Sequence, residues 1–234
     1  MDERTAAFLR RCLAEALGTA LLVGIGTGAI VAGARVGGIS QALLAFFWFL
    51  AVTIPVVLFV HRSGAHLNPA VTLSLAITRR IDPREGLGYV PAQLAGAFAG
   101  SGAVLFLLGN FAHLGATLPA NGELAWAMVG EAFFTGVLVA TVFFLSDYGF
   151  GRMRWRLLLP GIVVGISTYV IGPVSGSSLN PARSIAPAVL SSTYTDLGFY
   201  VLVALLAASA VAVAWRPRSV DRLDRGLGRD TTGR

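Results

Sequence analysis

Apolar residues run through this chain in six long stretches, near 12–34, 42–60, 87–108, 124–146, 157–173 and 197–215, separated by short segments rich in arginine, glycine and proline. Runs of roughly 17 to 25 residues match the length at which a helix crosses a ~30 Å hydrocarbon layer, so six transmembrane helices are the predicted framework. Two shorter apolar segments, Ala70–Thr78 and Ala182–Leu190, lie outside that count. Each directly follows an Asn-Pro pair. Asn is a favoured helix N-cap and Pro is tolerated at the first helical position, where its missing N–H costs nothing. Both segments are therefore predicted to be helices, and about 11 residues at ~1.5 Å each reach only halfway across the bilayer.

Composition agrees with a lipid solvent. Hydrophobic residues make up 55% of the chain and charged residues 13%, with a mean hydropathy of +0.73. All eighteen basic residues are arginine, and they alternate between loops. Arg4, Arg10 and Arg11 precede the first stretch, Arg62, Arg79, Arg80 and Arg84 lie between the second and third, Arg152, Arg154 and Arg156 between the fourth and fifth, and six more follow the sixth. By the positive-inside rule both termini are cytoplasmic, in what is expected to be a plasma membrane. This placement argues against nucleic acid as the partner of a chain with a pI near 10.4. The tail 216–234, where arginine alternates with aspartate, is expected to be solvated near anionic lipid. Arg10-Arg11 before an apolar stretch has the form of a signal peptide, but Glu15 inside that stretch favours a retained helix. Cys12 is the only cysteine, which excludes a disulfide framework. Arg183 lies within the second short helix, where a guanidinium must face water or a polar partner.

The chain is built twice. Asn68-Pro69-Ala70 and Asn180-Pro181-Ala182 stand 112 residues apart in the contexts Ser63-Gly64-Ala65-His66-Leu67 and Ser175-Gly176-Ser177-Ser178-Leu179. Glu15-Ala16-Leu17-Gly18-Thr19 is echoed by Glu131-Ala132-Phe133-Phe134-Thr135. One domain, 1–215, thus holds a first repeat at about 8–108 and a second at about 124–215. Three spans per repeat force the copies to run in opposite directions, so two half-helices enter from opposite faces and meet Asn to Asn near the midplane. Glu15 and Glu131 are the acidic residues deep in predicted spans; either they accept hydrogen bonds from loop backbone left unpaired by the broken helices, or they couple protons in a transporter. The glycine pairs Gly24/Gly28, Gly96/Gly100 and Gly161/Gly165 predict close helix contacts.

On these paired boxes, on Ser-Gly-Ala-His-Leu-Asn-Pro-Ala-Val-Thr around the first, on Asn-Pro-Ala-Arg-Ser at the second, and on the Glu-x-x-x-Thr start of each half, the chain resembles the aquaporins, the major intrinsic proteins. The resemblance implies an all-α membrane protein, a right-handed bundle of six transmembrane helices plus two re-entrant half-helices in an inverted repeat, packed as a homotetramer with one pore per subunit. It implies passive conduction of water and small neutral solutes. Asn68 and Asn180 would each offer an amide N–H to a passing water, and the carbonyls of Gly64, Ala65, His66, Gly176, Ser177 and Ser178 would supply acceptors. The convergent helix ends, each carrying about half a positive charge, would repel cations.

Spacing from the two boxes places the outer selectivity filter of that family at Trp48, Thr168, Ser177 and Arg183. Trp48 is flanked by other aromatics and also suits a lipid-facing or interfacial position. The set differs from the Phe-His-Cys-Arg of strict water channels and the Trp-Gly-Phe-Arg of glycerol facilitators. It is similar to the nodulin-like subgroup, whose members pass glycerol and uncharged metalloid acids; Ser184, Ala188 and Tyr200-Val201 lean the same way. A strict water channel and an inverted-repeat secondary transporter remain the alternatives. No nucleophile–base pair, metal-ligand cluster or phosphate-cradling loop is present in the sequence, so no enzyme, cofactor or metal is expected.

Overall fold

A computed structural model describes residues 2–148 and 154–215. The tail 216–234 and most of the loop after Tyr148 lie outside the described residues. The helices, in chain order, are α1 (Glu3–Arg35), α2 (Gln41–Ser63), α3 (Pro69–Ile77), α4 (Pro83–Leu108), α5 (Leu124–Tyr148), α6 (Leu159–Ser175), α7 (Pro181–Leu190) and α8 (Leu197–Ala214). Six of these elements are long and apolar enough to cross a membrane, the fifth span running from Trp155 through α6. Several extend beyond the apolar stretches because polar end residues continue the helical hydrogen bonding: α1 starts at Glu3, capped by the Asp2 carboxylate, which accepts from Thr5 N at 2.7 Å. α3 and α7 are nine and ten residues long and remain half-spans.

The two halves interlock. α1 packs on α4 and α2, and α5 packs on α8 and α6, while α2 and α6 join the halves. Each half-helix crosses over: α3 lies against α8 of the second half, and α7 against α4 of the first. Neither half could bury its own half-helix fully without the other. Large apolar side chains such as Phe106, Leu107, Phe133 and Leu206 are exposed on the outside of the bundle, the inverse of a water-soluble surface and appropriate to contact with lipid.

Glycines set the closest approaches. A Cβ at Gly96 would overlap the carbonyl of Ala16, and one at Gly100 would overlap the carbonyl of Ala20, so α1 and α4 are in backbone contact. Gly161 and Gly165 let α6 approach α2 near Phe49 and Ala45 in the same way. Gly24 and Gly28 are looser, with nearest neighbours at 3.8 Å and 3.6 Å. Gly96→Val should therefore lower the thermal unfolding midpoint of the detergent-solubilised protein, by about 1–3 kcal/mol of overpacking strain or more, whereas Gly28→Ala should be nearly silent in the same assay.

Candidate functional site

Both α2 and α6 stop at a glycine in the left-handed region, Gly64 with φ 90° and Gly176 with φ 77°, which turns the chain back into the bundle. The returning loops repeat one another. Ala65 and Leu67 have φ of 48° and 53°, and Ser177 and Leu179 have φ of 48° and 55°. Non-glycine residues in this region are strained by roughly 1–3 kcal/mol each and persist only where their surroundings hold them.

A buried carboxylate holds each loop. Glu15 Oε1 accepts from His66 N at 3.0 Å and from Ser63 Oγ at 2.6 Å, and its Oε2 accepts from Leu67 N at 2.7 Å. Glu131 Oε1 accepts from Ser178 N and from Ser175 Oγ, both at 2.8 Å, and its Oε2 accepts from Leu179 N at 2.8 Å. Tyrosines complete the frame: Tyr89 donates to the Ser63 carbonyl at 2.9 Å and Tyr200 to the Ser175 carbonyl at 2.6 Å. In the first half alone, Gln93 also donates to Glu15 and Thr72; in the second, Ser184 bonds Ser178 and Thr117 instead. The repeated Ser-Gly pairs were legible in sequence, but the tyrosines and Gln93 were not assigned to this frame, because they lie in the apolar helices 20 or more residues beyond each box.

The two boxes meet. Asn68 Oδ1 caps α3 by accepting from Ala70 N at 2.8 Å, and Asn180 Oδ1 caps α7 by accepting from Ala182 N at 3.0 Å and Arg183 N at 3.4 Å. Each amide group then donates to the opposite loop, Asn68 Nδ2 to the Leu179 carbonyl at 2.8 Å and Asn180 Nδ2 to the Leu67 carbonyl at 2.9 Å. An amide NH₂ has two hydrogens, so one N–H on each Asn stays available to the cavity that both line. Pro69, Ala70, Pro181 and Ala182 are buried behind the asparagines.

That cavity has a volume of about 230 Å³ and runs from Trp48 and Arg183, past both asparagines, to Arg80 and Ser146. One wall is apolar, with Leu22, Val52, Val56, Leu138 and Val164; Gly64, Ala65, His66 and Ser178 contribute the loop side. Trp48 is buried, its ring lying 4.6 Å from the Arg183 guanidinium carbon and filling space that a Cβ on Gly26 would occupy. Arg183 donates to the Gly115 carbonyl at 2.7 Å and to the Gly176 carbonyl at 3.4 Å. It has no carboxylate partner, since the ion pairs among the described residues are Arg11–Glu85 and Arg80–Asp147.

Thr168, Ser177 and Gly176 stand behind this lining. Thr168 is buried with its hydroxyl unpartnered, and its carbonyl accepts from Gln41 at 2.5 Å. The Ser177 hydroxyl is turned onto Ser167 of α6, and the Gly176 carbonyl is engaged by Arg183. Trp48 and Arg183 are thus brought together at the lumen, while Thr168 and Ser177, placed in the same filter by sequence, are not among the residues that line this cavity.

Six spans and two half-helices ending mid-membrane around one elongated cavity define a polytopic membrane channel. A family model described as Major intrinsic protein matches residues 2–215, and the chain belongs to that family of channels, not of enzymes. Aquaporin NIP1-4 of Oryza sativa subsp. japonica is 40% identical over 216 residues, covering 89% of this chain and 76% of its own. A glycerol uptake facilitator protein-like 6 from Lactiplantibacillus plantarum is 36% identical over 216 residues, covering 88% of this chain and 98% of its own. Among solved structures, the aquaglyceroporin from Plasmodium falciparum aligns with a TM-score of 0.73 at 29% identity, covering 88% of this chain and 93% of its own.

The loop frame can be tested directly. Glu131→Leu strips the Ser178 and Leu179 N–H groups of their acceptor, at about 1–3 kcal/mol apiece, leaves the Ser175 hydroxyl only the Ile171 carbonyl, and should sharply lower the unfolding midpoint in detergent. Glu131→Gln, which retains one acceptor oxygen, should fall between that variant and the wild type.

Proposed function

We propose that this chain conducts water and small neutral polar solutes, glycerol and uncharged metalloid acids among them, and excludes ions and protons. The observation that carries the reading is the two-sided lumen. A polyol has hydroxyl edges and a CH face, and the cavity offers it loop carbonyls and asparagine donors on one side and a Val/Leu wall on the other. The glycerol facilitator among the relatives and the aquaglyceroporin fold neighbour support the same substrate class.

In this reading the charge logic rests on two features. α3 and α7 aim their N-termini at one spot, where the partial positive charge of unpaired N–H groups raises the energy of a cation in a low-dielectric setting. Asn68 and Asn180 donate to a passing water oxygen, which prevents that water from passing a proton along a continuous donor chain. Arg183, held by carbonyl dipoles and not by an anion, adds an uncompensated charge at the outer end. Both termini face the cytoplasm, and a homotetramer in the plasma membrane is the working assembly.

Stopped-flow light scattering on proteoliposomes should give rapid water flux with a low activation energy, together with glycerol and boric acid uptake above protein-free vesicles. Rapid water flux with no glycerol or boric acid uptake would instead identify a strict water channel, and saturable, gradient-coupled uptake a transporter. Arg183→Val should raise the permeability of neutral solutes relative to water. Asn180→Asp, which places a carboxylate at the convergence of the helix ends, should introduce a cation leak measurable by vesicle depolarisation; identical profiles in both variants would remove these roles.

A further inference from the structure

Arginine stands at both ends of the cavity. Arg183 occupies one end; at the other, on the face that carries the chain termini, Arg80 lines the lumen beside Ile81, Leu145 and Ser146. The two are held alike. Each guanidinium carbon lies 4.6 Å from an aromatic ring centroid, Arg183 over Trp48 and Arg80 over Phe143.

Arg80 is fixed by three elements. It follows α3, so the half-helix sets its position; Asp147 at the end of α5 accepts from its Nη2 at 2.6 Å; and Trp215, after α8, donates from Nε1 to the other Asp147 oxygen at 3.1 Å while packing edge-on against Phe143. The Arg80 side chain is only 9% exposed. Its Nε and Nη1 are buried without any hydrogen-bond partner. A guanidinium presents five donors in a rigid fork, so clamping one edge on Asp147 leaves the other edge unsatisfied beside the lumen. Those two atoms are closed off from the cavity, so what Arg80 presents to a solute there is the bulk and shape of a clamped, rigid group.

We propose that Arg80 is a second specificity-determining residue, an inner filter at the terminal-bearing mouth whose clamped guanidinium a solute must pass after it clears the midplane. Asp147 and Trp215 are positioning residues that hold the fork across the mouth. The filter discriminates by size: water and three-carbon polyols pass the guanidinium, and longer polyols are retarded there. This inference rests on the channel reading above and concerns a different end of the same lumen from Arg183.

The test is the ratio of erythritol to water permeability, measured by stopped-flow light scattering on full-length protein in proteoliposomes. Arg80→Ala should raise that ratio about threefold or more, because the opening widens. Asp147→Asn should move the ratio in the same direction by less, as the fork is released from its clamp. Water flux and the unfolding midpoint serve as controls for folding; should Arg80→Ala fail to reconstitute, Arg80→Gln, which keeps part of the stem and a donor, takes its place. A merely structural ion pair would change stability and scale all fluxes together without moving the ratio. An unchanged ratio in the Arg80 variant, with wild-type water flux intact, overturns the inner filter and leaves the channel reading standing; absent water flux in the wild type fails the channel reading itself.

Discussion

Lipid offers no hydrogen bonds, so a helix that ends halfway across a bilayer must have its exposed backbone satisfied by the protein. The polar frame around the two broken helices serves that constraint. Two loops return from α2 and α6 into the core, and two carboxylates, Glu15 and Glu131, accept from four of their N–H groups. The strained left-handed residues Ala65, Leu67, Ser177 and Leu179 are tolerable because those acceptors fix the backbone around them. The reciprocal amide bonds from Asn68 and Asn180 then lock loop to loop, so the two helix ends cannot drift apart without breaking both.

The lumen is a by-product of this solution. Once N–H groups are gathered onto buried carboxylates, the loops' remaining acceptors and the second asparagine N–H groups are what the cavity receives, and they line one side only. The opposite wall is free to be valine and leucine because no backbone there needs help: α2, α5 and α6 satisfy their own hydrogen bonds. A polar stripe against an apolar wall follows from where the helices break, and a solute with a hydroxyl edge and a hydrocarbon face fits it.

Much of this was legible before any coordinates, and the reason is that symmetry amplifies weak signals. One Asn-Pro pair is a common helix start; two, with matching Ser-Gly contexts and matching glutamates, announce half-helices in opposite orientation. The glycine contacts at Gly96 and Gly161 were equally readable, since only backbone approach explains paired small residues on an apolar helix. What escaped were partners with no local signature. Gln93 and Tyr89 reach the first loop from α4, and Gly115 offers a carbonyl to Arg183 from a turn whose backbone, at φ 69°, no periodicity predicts. Filter positions taken from spacing alone placed Trp48 against Arg183, but the direction of the Ser177 hydroxyl, turned onto Ser167, depends on a neighbouring helix.

Two buried arginines in one apolar bundle would be a costly extravagance if either served only to hold the fold, because carbonyls or apolar residues can perform that task without desolvating a charge. Their surroundings differ in a way that sorts their duties. Arg183 donates to two backbone carbonyls and has no ion-pair partner among the described residues, so in the reading proposed above its charge is what acts on ions at that end. Arg80 is paired with Asp147, so its long-range field is largely cancelled and what it adds to that end of the cavity is short-range shape. In the proposed reading, a passage that rejects ions at one end by field and sorts neutral molecules at the other by contact needs no moving part, and the placement of a single aspartate would separate the two functions.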